Sequence, residues 1–446
     1  MAQLIDMLRT VPEIAVRLWC GQHDRTLRIQ ESDDAVRLFW EGRSATISRE
    51  VYEKAQEVAR ALSVRPRVLQ AVQDVLELRH DAEDIFVRSI FERRDIPTVL
   101  FVPAGETASG YYRAMIPADL MREKGDVIAH FTMNVDLAKV LRYDVLWIQL
   151  LAAPVLAEIA ERARAEGIRI VYDIDDRLDA LPDENQAKVV YGTPEMQANI
   201  RRMIEAADVV TASTEPLAQH IREQHPSKKV VVLRNEVIAN VAPRRHPPNP
   251  AYVRILWAGS ATHQRDLAII APAMRAVLQR HAGKVRFSLL GERMPEALSG
   301  AWDWVDLITP VDFVDYHDRL AQIAADFAIA PLEKNEFNSG KSCLKALEYA
   351  AAGYPSLLSP AAEYPALVAD GFPGEIVPDD GWESSLERMI ARTRDERDVM
   401  GKRAMGWVIT NRCMGTDRAK NWTNVVLSLV KKKSQTEPVD SGSTRR

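Results

Sequence analysis

Between residues 325 and 355 the sequence reads ADFAIAPLEKNEFNSGKSCLKALEYAAAGYP, a stretch that gathers the side chains best suited to phosphate and sugar chemistry. An apolar strand leads into a polar loop, and the spacing predicts a helix over 341–352, with Gly353 in a C-cap role and a proline just beyond. On that helix Lys341, Lys345 and Glu348 recur at four and three residues and share one face, while Leu344, Leu347 and Ala351 face the core. A helix N-terminus presents backbone N–H groups and a partial positive charge. With Lys341, Ser339 and Ser342 beside it, and Asn338 and Gly340 in the same loop, this is a place for a diphosphate. Glu348 lies about 10 Å further along the axis at 1.5 Å per residue, roughly the span from a diphosphate to its ribose. A carboxylate there accepts from both ribose hydroxyls. The plainer reading is a solvated face whose intrahelical ion pairs contribute about a few tenths of a kcal/mol each. Gly340, Lys341 and Ser342 also spell the end of a P-loop, but Asn335 stands where that motif needs glycine, which argues against an NTPase.

The elements around this stretch must supply a cleft. From Pro97 onward strands and helices alternate, the signature of a parallel sheet with crossover helices. VLFVP, VIAHF, DVLWIQ, IRIVYD, DVVTAS and KVVVL read as the strands of a first Rossmann-like domain over 97–245. The proline-rich APRRHPPNPAY reads as an inter-domain connection. VRILWAG, VRFSLLG, WVDLITP, ADFAIAP, YPSLLS and GEIVP then give a second such domain over 246–430, closed by C-terminal helices. Two consecutive doubly wound domains turn two sets of strand carboxyl ends toward one crevice, where ligands of open α/β sheets bind. Residues 1–96 alternate as strands and then turn helical, a small α+β accessory region, and 431–446 lack the apolar residues to fold.

Composition narrows the class. A net charge of -5 over 446 residues argues against a broad nucleic-acid footprint, and no apolar run is long enough to span a membrane. The start lacks a signal-peptide core, and three distant cysteines fit a reducing compartment, so the expected location is the cytoplasm. The nine histidines show no zinc-site spacing.

The 325–355 stretch resembles the C-terminal domain of GT-B glycosyltransferases, in particular glycosyltransferase family 4 (group 1). Glu348 followed by YAAAGYPSLLS matches the glutamate that holds the donor ribose in that family. The family often carries a second glutamate eight positions earlier, against the donor sugar; Gly340 stands there. WAGSATHQRDLAIIAPAM resembles the first strand-loop of the nucleotide domain, which implies that Gly259 and Ser260 approach the diphosphate, with His263 a cleft group beside them. LITPVDFVDYHDRLA resembles the lining of the base pocket, around Val311 to Phe313. VPAGETASGYYRAM places Gly105, Gly110, Tyr111 and Arg113 where the family's glycine-rich loop lies.

The acidic run YDIDDRLDALPDEN sets Asp173, Asp175 and Asp176 at a strand end opening on the cleft. GT-A transferases hold a cation with an Asp-x-Asp pair, but the pattern here is of the other architecture, so these carboxylates are expected to order the loop or bind acceptor hydroxyls. The resemblance implies transfer of a sugar from a nucleotide-sugar to an acceptor, with retention, and no metal or cofactor is expected. The acceptor remains open: a glycan, a lipid-linked glycan, a protein or a modified nucleic-acid base. A sugar-nucleotide epimerase and an inert binding module would use the same donor site.

Overall fold

The computed structural model describes residues 96–238, 252–259, 263–291, 296–298, 302–415 and 417–430, together with three strands between 28 and 48 and the adjoining residues 49 and 53. Those strands, β1 (Arg28–Glu31), β2 (Ala35–Trp40) and β3 (Arg43–Ser48), pair antiparallel in the expected alternating segment. The rest of the accessory region, the proline-rich connection and the tail lie outside the described residues.

The first large sheet comprises β4 (Thr98–Val102), β5 (Ile128–Phe131), β6 (Val145–Gln149), β7 (Arg169–Ile174), β8 (Val209–Ala212) and β9 (Val230–Val232). All its pairs are parallel, in the order β5-β4-β6-β7-β8-β9. Strand β4 is buried throughout because both sheet faces are covered. Leu100 and Val102 enter one core, Val99 and Phe101 the other, as the two-residue period requires.

A short ribbon strand, β10 (Val237–Ile238), leads to the second large sheet, which holds β11 (Val253–Ala258), β12 (Val285–Leu290), β13 (Val305–Ile308), β14 (Phe327–Ala330), β15 (Ser356–Leu358) and β16 (Glu375–Ile376). They are ordered β13-β12-β11-β14-β15-β16 and again parallel. Strand order reverses between β11 and β14, and the loops after those two strands open the crevice in which such sheets bind ligands. All twelve segments expected as strands are strands.

The domain expectation needs one correction. The last helix, Lys420–Val430, does not pack on the second domain. Trp422, Val425 and Val426 complete the core of the first, and Trp422 stacks on Trp147 with 5.3 Å between ring centroids. An apolar stripe read from sequence does not say which sheet it will cover. The chain therefore crosses between domains twice, and β10 pairs parallel with β17 (Cys413–Met414) where the crossings meet. The long helical stretch before it is two helices, Trp382–Ala391 and Arg394–Asn411, and Thr393 and Glu396 form a capping box at the start of the second.

Candidate functional site

The helix expected over 341–352 begins only at Leu344 and runs to Ala351. Cys343 takes the N-cap position and its backbone N–H donates to Glu363, 3.2 Å away, so a partner distant in sequence sets the boundary. Lys341 is therefore not on the helix. It lies in the loop after a short turn of helix, Glu336–Ser339, and its ammonium pairs with Asp176 of the first domain at 3.1 Å. Lys345 and Glu348 keep the expected three-residue spacing on one face.

Both line a cavity of about 380 Å³ between the domains. Its floor is the end of β11, Ala258 and Gly259; Gly291, Pro310 and Val311 form one side, and Asp175, Asp176 and Ser109 of the first domain form the other. A Cβ on Gly259 would lie 2.7 Å from the Trp257 ring and 3.1 Å from Lys345 Nζ, so glycine leaves the room that the ammonium occupies. Lys345 sits 4.8 Å over that same ring and, among the described residues, forms no ion pair. Burial draws its pKa down to about 8. It is a cation turned toward the cavity that, among the described residues, no carboxylate contacts directly, although Asp266 and Glu348 lie near enough to favour its charge.

Glu348 is held from both domains. Tyr112 Oη donates to it at 3.0 Å and Tyr316 Oη at 3.2 Å, and burial pushes its carboxyl up to about 7. With the single phenolic hydrogen of Tyr112 given to Glu348, His317 Nε2 at 2.8 Å is the donor to Tyr112. The chain His317, Tyr112, Glu348 fixes the carboxylate as an acceptor for hydroxyl groups. Sequence reasoning missed Tyr112, Tyr316 and His317. Their signal was slight, a second tyrosine beside Tyr111 and an aromatic pair three and four residues past Phe313.

The remaining expectations divide. His263 lines the cavity; it donates through or shares its Nδ1 with Asp266 at 2.6 Å, and burial lowers its pKa to about 4, which keeps the ring neutral. Ser342 lines it too and accepts from Asn235 Nδ2 at 2.9 Å. Phe313 opens a helix, Phe313–Gln322, and Ser260 lies outside the described residues. Asn338 is buried and donates to Asp266 and to the Glu333 carbonyl. Gly340 is backed by Arg177, and its carbonyl accepts from Thr214 Oγ1 at 2.9 Å. Ser339 points elsewhere, exposed and bonded to its own turn through the Glu336 carbonyl.

In the first domain Gly110, Tyr111 and Arg113 do not reach the cavity. Ala108 and Ser109 line the cavity instead, and with a π-helical turn over Tyr111–Met115 it is Tyr112, buried, that reaches Glu348 and His317 of the second domain. Gly110 is sealed beneath Gly105, whose carbonyl oxygen would lie 2.2 Å from an added Cβ. Arg113 and Asp173 form a fully buried ion pair and touch no open space. Of the three aspartates only Asp175 and Asp176 face the cleft. The Asp175 carboxyl is raised to about 7 by burial and by its neighbour Asp176. Among the described residues no group of three or more His, Cys, Asp or Glu is arranged to hold a metal ion.

Two parallel six-stranded sheets closing on a polar cleft define the GT-B architecture. Residues 252–395 match the family model described as glycosyl transferases group 1, a span that contains Lys345, Glu348 and every second-domain residue of the cavity. The second half of the chain carries a group 1 glycosyl transferase domain, and the chain as a whole has the GT-B fold.

Solved structures agree on the fold. A sucrose-phosphate synthase from Thermosynechococcus elongatus superposes with a TM-score of 0.53 at 13% identity, over 75% of this chain and 98% of that one. A glycosyltransferase from Rickettsia africae ESF-5 gives 0.53 at 14%, over 76% and 100%. TarM gives 0.48 at 11%, over 63% of this chain and 54% of that one, so the chain spans about half the length of TarM. The sequence matches no curated protein. No helix among the described residues is long and apolar enough to cross a membrane.

Proposed function

We propose that the chain moves a sugar from a nucleotide-sugar, held on the second domain, to an acceptor entering between the domains, with retention and without a metal. The observation that carries this reading is the placement of a lysine without an ion pair among the described residues, Lys345, and a hydrogen-bonded carboxylate, Glu348, one helical turn apart in the inter-domain cavity. The diphosphate meets Lys345, Lys341 and Ser342, the ribose hydroxyls donate to Glu348, and the base rests by Gly291, Pro310 and Val311. As the glycosidic bond breaks, negative charge grows on the leaving diphosphate. Two ammonium groups beside it stabilise that charge, the task a divalent cation performs elsewhere.

Calorimetric titration with UDP or GDP should therefore give the same affinity with and without a chelator. Binding that vanishes in the chelator would make Asp175 and Asp176 metal ligands and overturn the metal-free reading.

Glu348→Ala is expected to weaken nucleoside diphosphate binding by about 1.5–3 kcal/mol, the usual contribution of hydrogen bonds to a charged group. Unchanged affinity would place Glu348 in a purely structural role between the two tyrosines. The same residue predicts a pH profile. Glu348 accepts from two hydroxyls only when ionised, so kcat/KM should rise as pH passes about 7. Lys345 serves only when protonated, so kcat/KM should fall above about 8. Asp175 also titrates near 7, so the assignment of the acid limb requires its loss in Glu348→Gln. An acid limb that persists there belongs to another group.

A further inference from the structure

A second cavity, of about 700 Å³, adjoins the first and shares Asp176, His263 and Lys341 with it. One wall is the acidic loop after β7, the other the start of the helix Gln264–Arg280 and the loop after β14. Its position beside the donor cavity makes it the entry for the acceptor, and the inference that follows rests on the donor reading above.

The hydrogen-bonding groups of this cavity are unevenly engaged. Its cations are neutralised: Arg265 spans the domains from Glu184 at 3.0 Å to Glu333 at 2.6 Å, and Lys341 holds Asp176. Of its four amide side chains two are turned into the protein, Asn335 to Glu333 at 2.9 Å and Asn338 to Asp266 and the Glu333 carbonyl, while Asn185 and Gln186 line the first-domain wall. Five lining carboxylates, Asp176, Glu184, Asp266, Glu296 and Glu333, face two lining cations, and the ring of His263 is neutral. What the walls still offer is acceptor capacity under an excess of negative charge. A phosphate or carboxylate would meet repulsion from five carboxylates against two already paired cations; a hydroxyl-rich ligand would meet carboxylate lone pairs and the neutral amides of Asn185 and Gln186. Tyr191, Phe337 and Leu181 add apolar surface of the kind that covers the C–H face of a sugar ring.

We infer that the acceptor is an uncharged, hydroxyl-rich carbohydrate, and that sugar phosphates and phosphate-bearing polymers are excluded from this cavity by its carboxylates. The reaction feeding the enzyme is then one that delivers a glycan end free of phosphate.

The test uses the full chain with UDP or GDP bound. Maltotriose, cellotriose and chitotriose are compared by saturation-transfer NMR with glucose 6-phosphate, mannose 6-phosphate and glycerol 3-phosphate. At least one neutral trisaccharide is expected to bind about tenfold or more tightly than every phosphorylated probe. Glu184→Gln combined with Glu333→Gln should weaken that binding about tenfold, the loss of roughly one charge-assisted hydrogen bond, while calorimetric binding of the nucleotide, measured on the same sample, stays within about twofold. A phosphorylated probe bound as well as the neutral sugars, neutral binding indifferent to the double substitution, or no neutral sugar bound would each overturn the inference. Nucleotide binding keeps the two readings apart. Its absence in the wild type defeats the donor assignment, whereas its presence with failed sugar binding defeats only the acceptor class.

Discussion

Lys345→Met is expected to lower turnover at saturating donor by a factor of about 100 to 1,000, the usual cost of removing one preorganised stabiliser of a developing negative charge. The methionine keeps the aliphatic stem over Trp257, so folding should be little affected. The effect belongs to kcat more than to affinity, because the charge on the leaving diphosphate is greater in the transition state than in the bound donor. Lys341→Met provides the contrast. Its ammonium already lies against Asp176, and removing it also releases that carboxylate beside the diphosphate. Both losses should slow turnover, but only the Lys341 loss should be partly relieved by a second change, Asp176→Asn. Turnover in Lys345→Met within about threefold of wild type would remove Lys345 from the mechanism and leave the donor site without its unpaired cation.

Arg113→Met is expected to cost about 3–5 kcal/mol of stability, because it leaves the Asp173 carboxylate buried without its partner. The guanidinium is a clip through the first domain. It bonds Asp173 on β7, the Leu233 carbonyl and Asn235 beyond β9, and stacks 4.8 Å over Trp422 of the last helix. Asp173 also accepts from Thr211 on β8. Urea denaturation followed by tryptophan fluorescence reads the loss directly. Replacing both partners, Arg113→Met with Asp173→Leu, should recover much of it, since an apolar pair of similar volume avoids the lone buried charge. A residue that binds substrate would behave oppositely, with stability kept and activity lost, and that outcome would return Arg113 to the cleft.

The twelve strands were legible because each is a short apolar run bounded by turn residues, and a strand buried on both faces has no other way to be written. Lys345 and Glu348 were legible because helical spacing alone puts them on one face. Lys341 was not, since the helix start depends on Glu363 reaching the Cys343 backbone from 20 residues away. In the glycine loop the expectation fell on Tyr111 and Arg113, whereas Tyr112 is the residue that reaches Glu348. A π-helical turn adds a residue to the cycle, and its position leaves no mark in the residue types. The aspartates show the same limit. A run of carboxylates identifies a loop, but which of them faces a buried arginine and which faces water is decided by strand register, with Asp173 inside and Asp175 and Asp176 at the rim.

The return of the final helix to the first domain has a consequence for synthesis. About 190 residues separate β9 from Lys420. At a typical 5–20 residues per second, a ribosome needs roughly 10–40 s to make them. Throughout that interval the nascent first domain presents the strip that Trp422, Val425 and Val426 will later cover, with Trp147 at its centre. Synthesis of the last described helix, rather than completion of its own sheet, is the event that closes this domain.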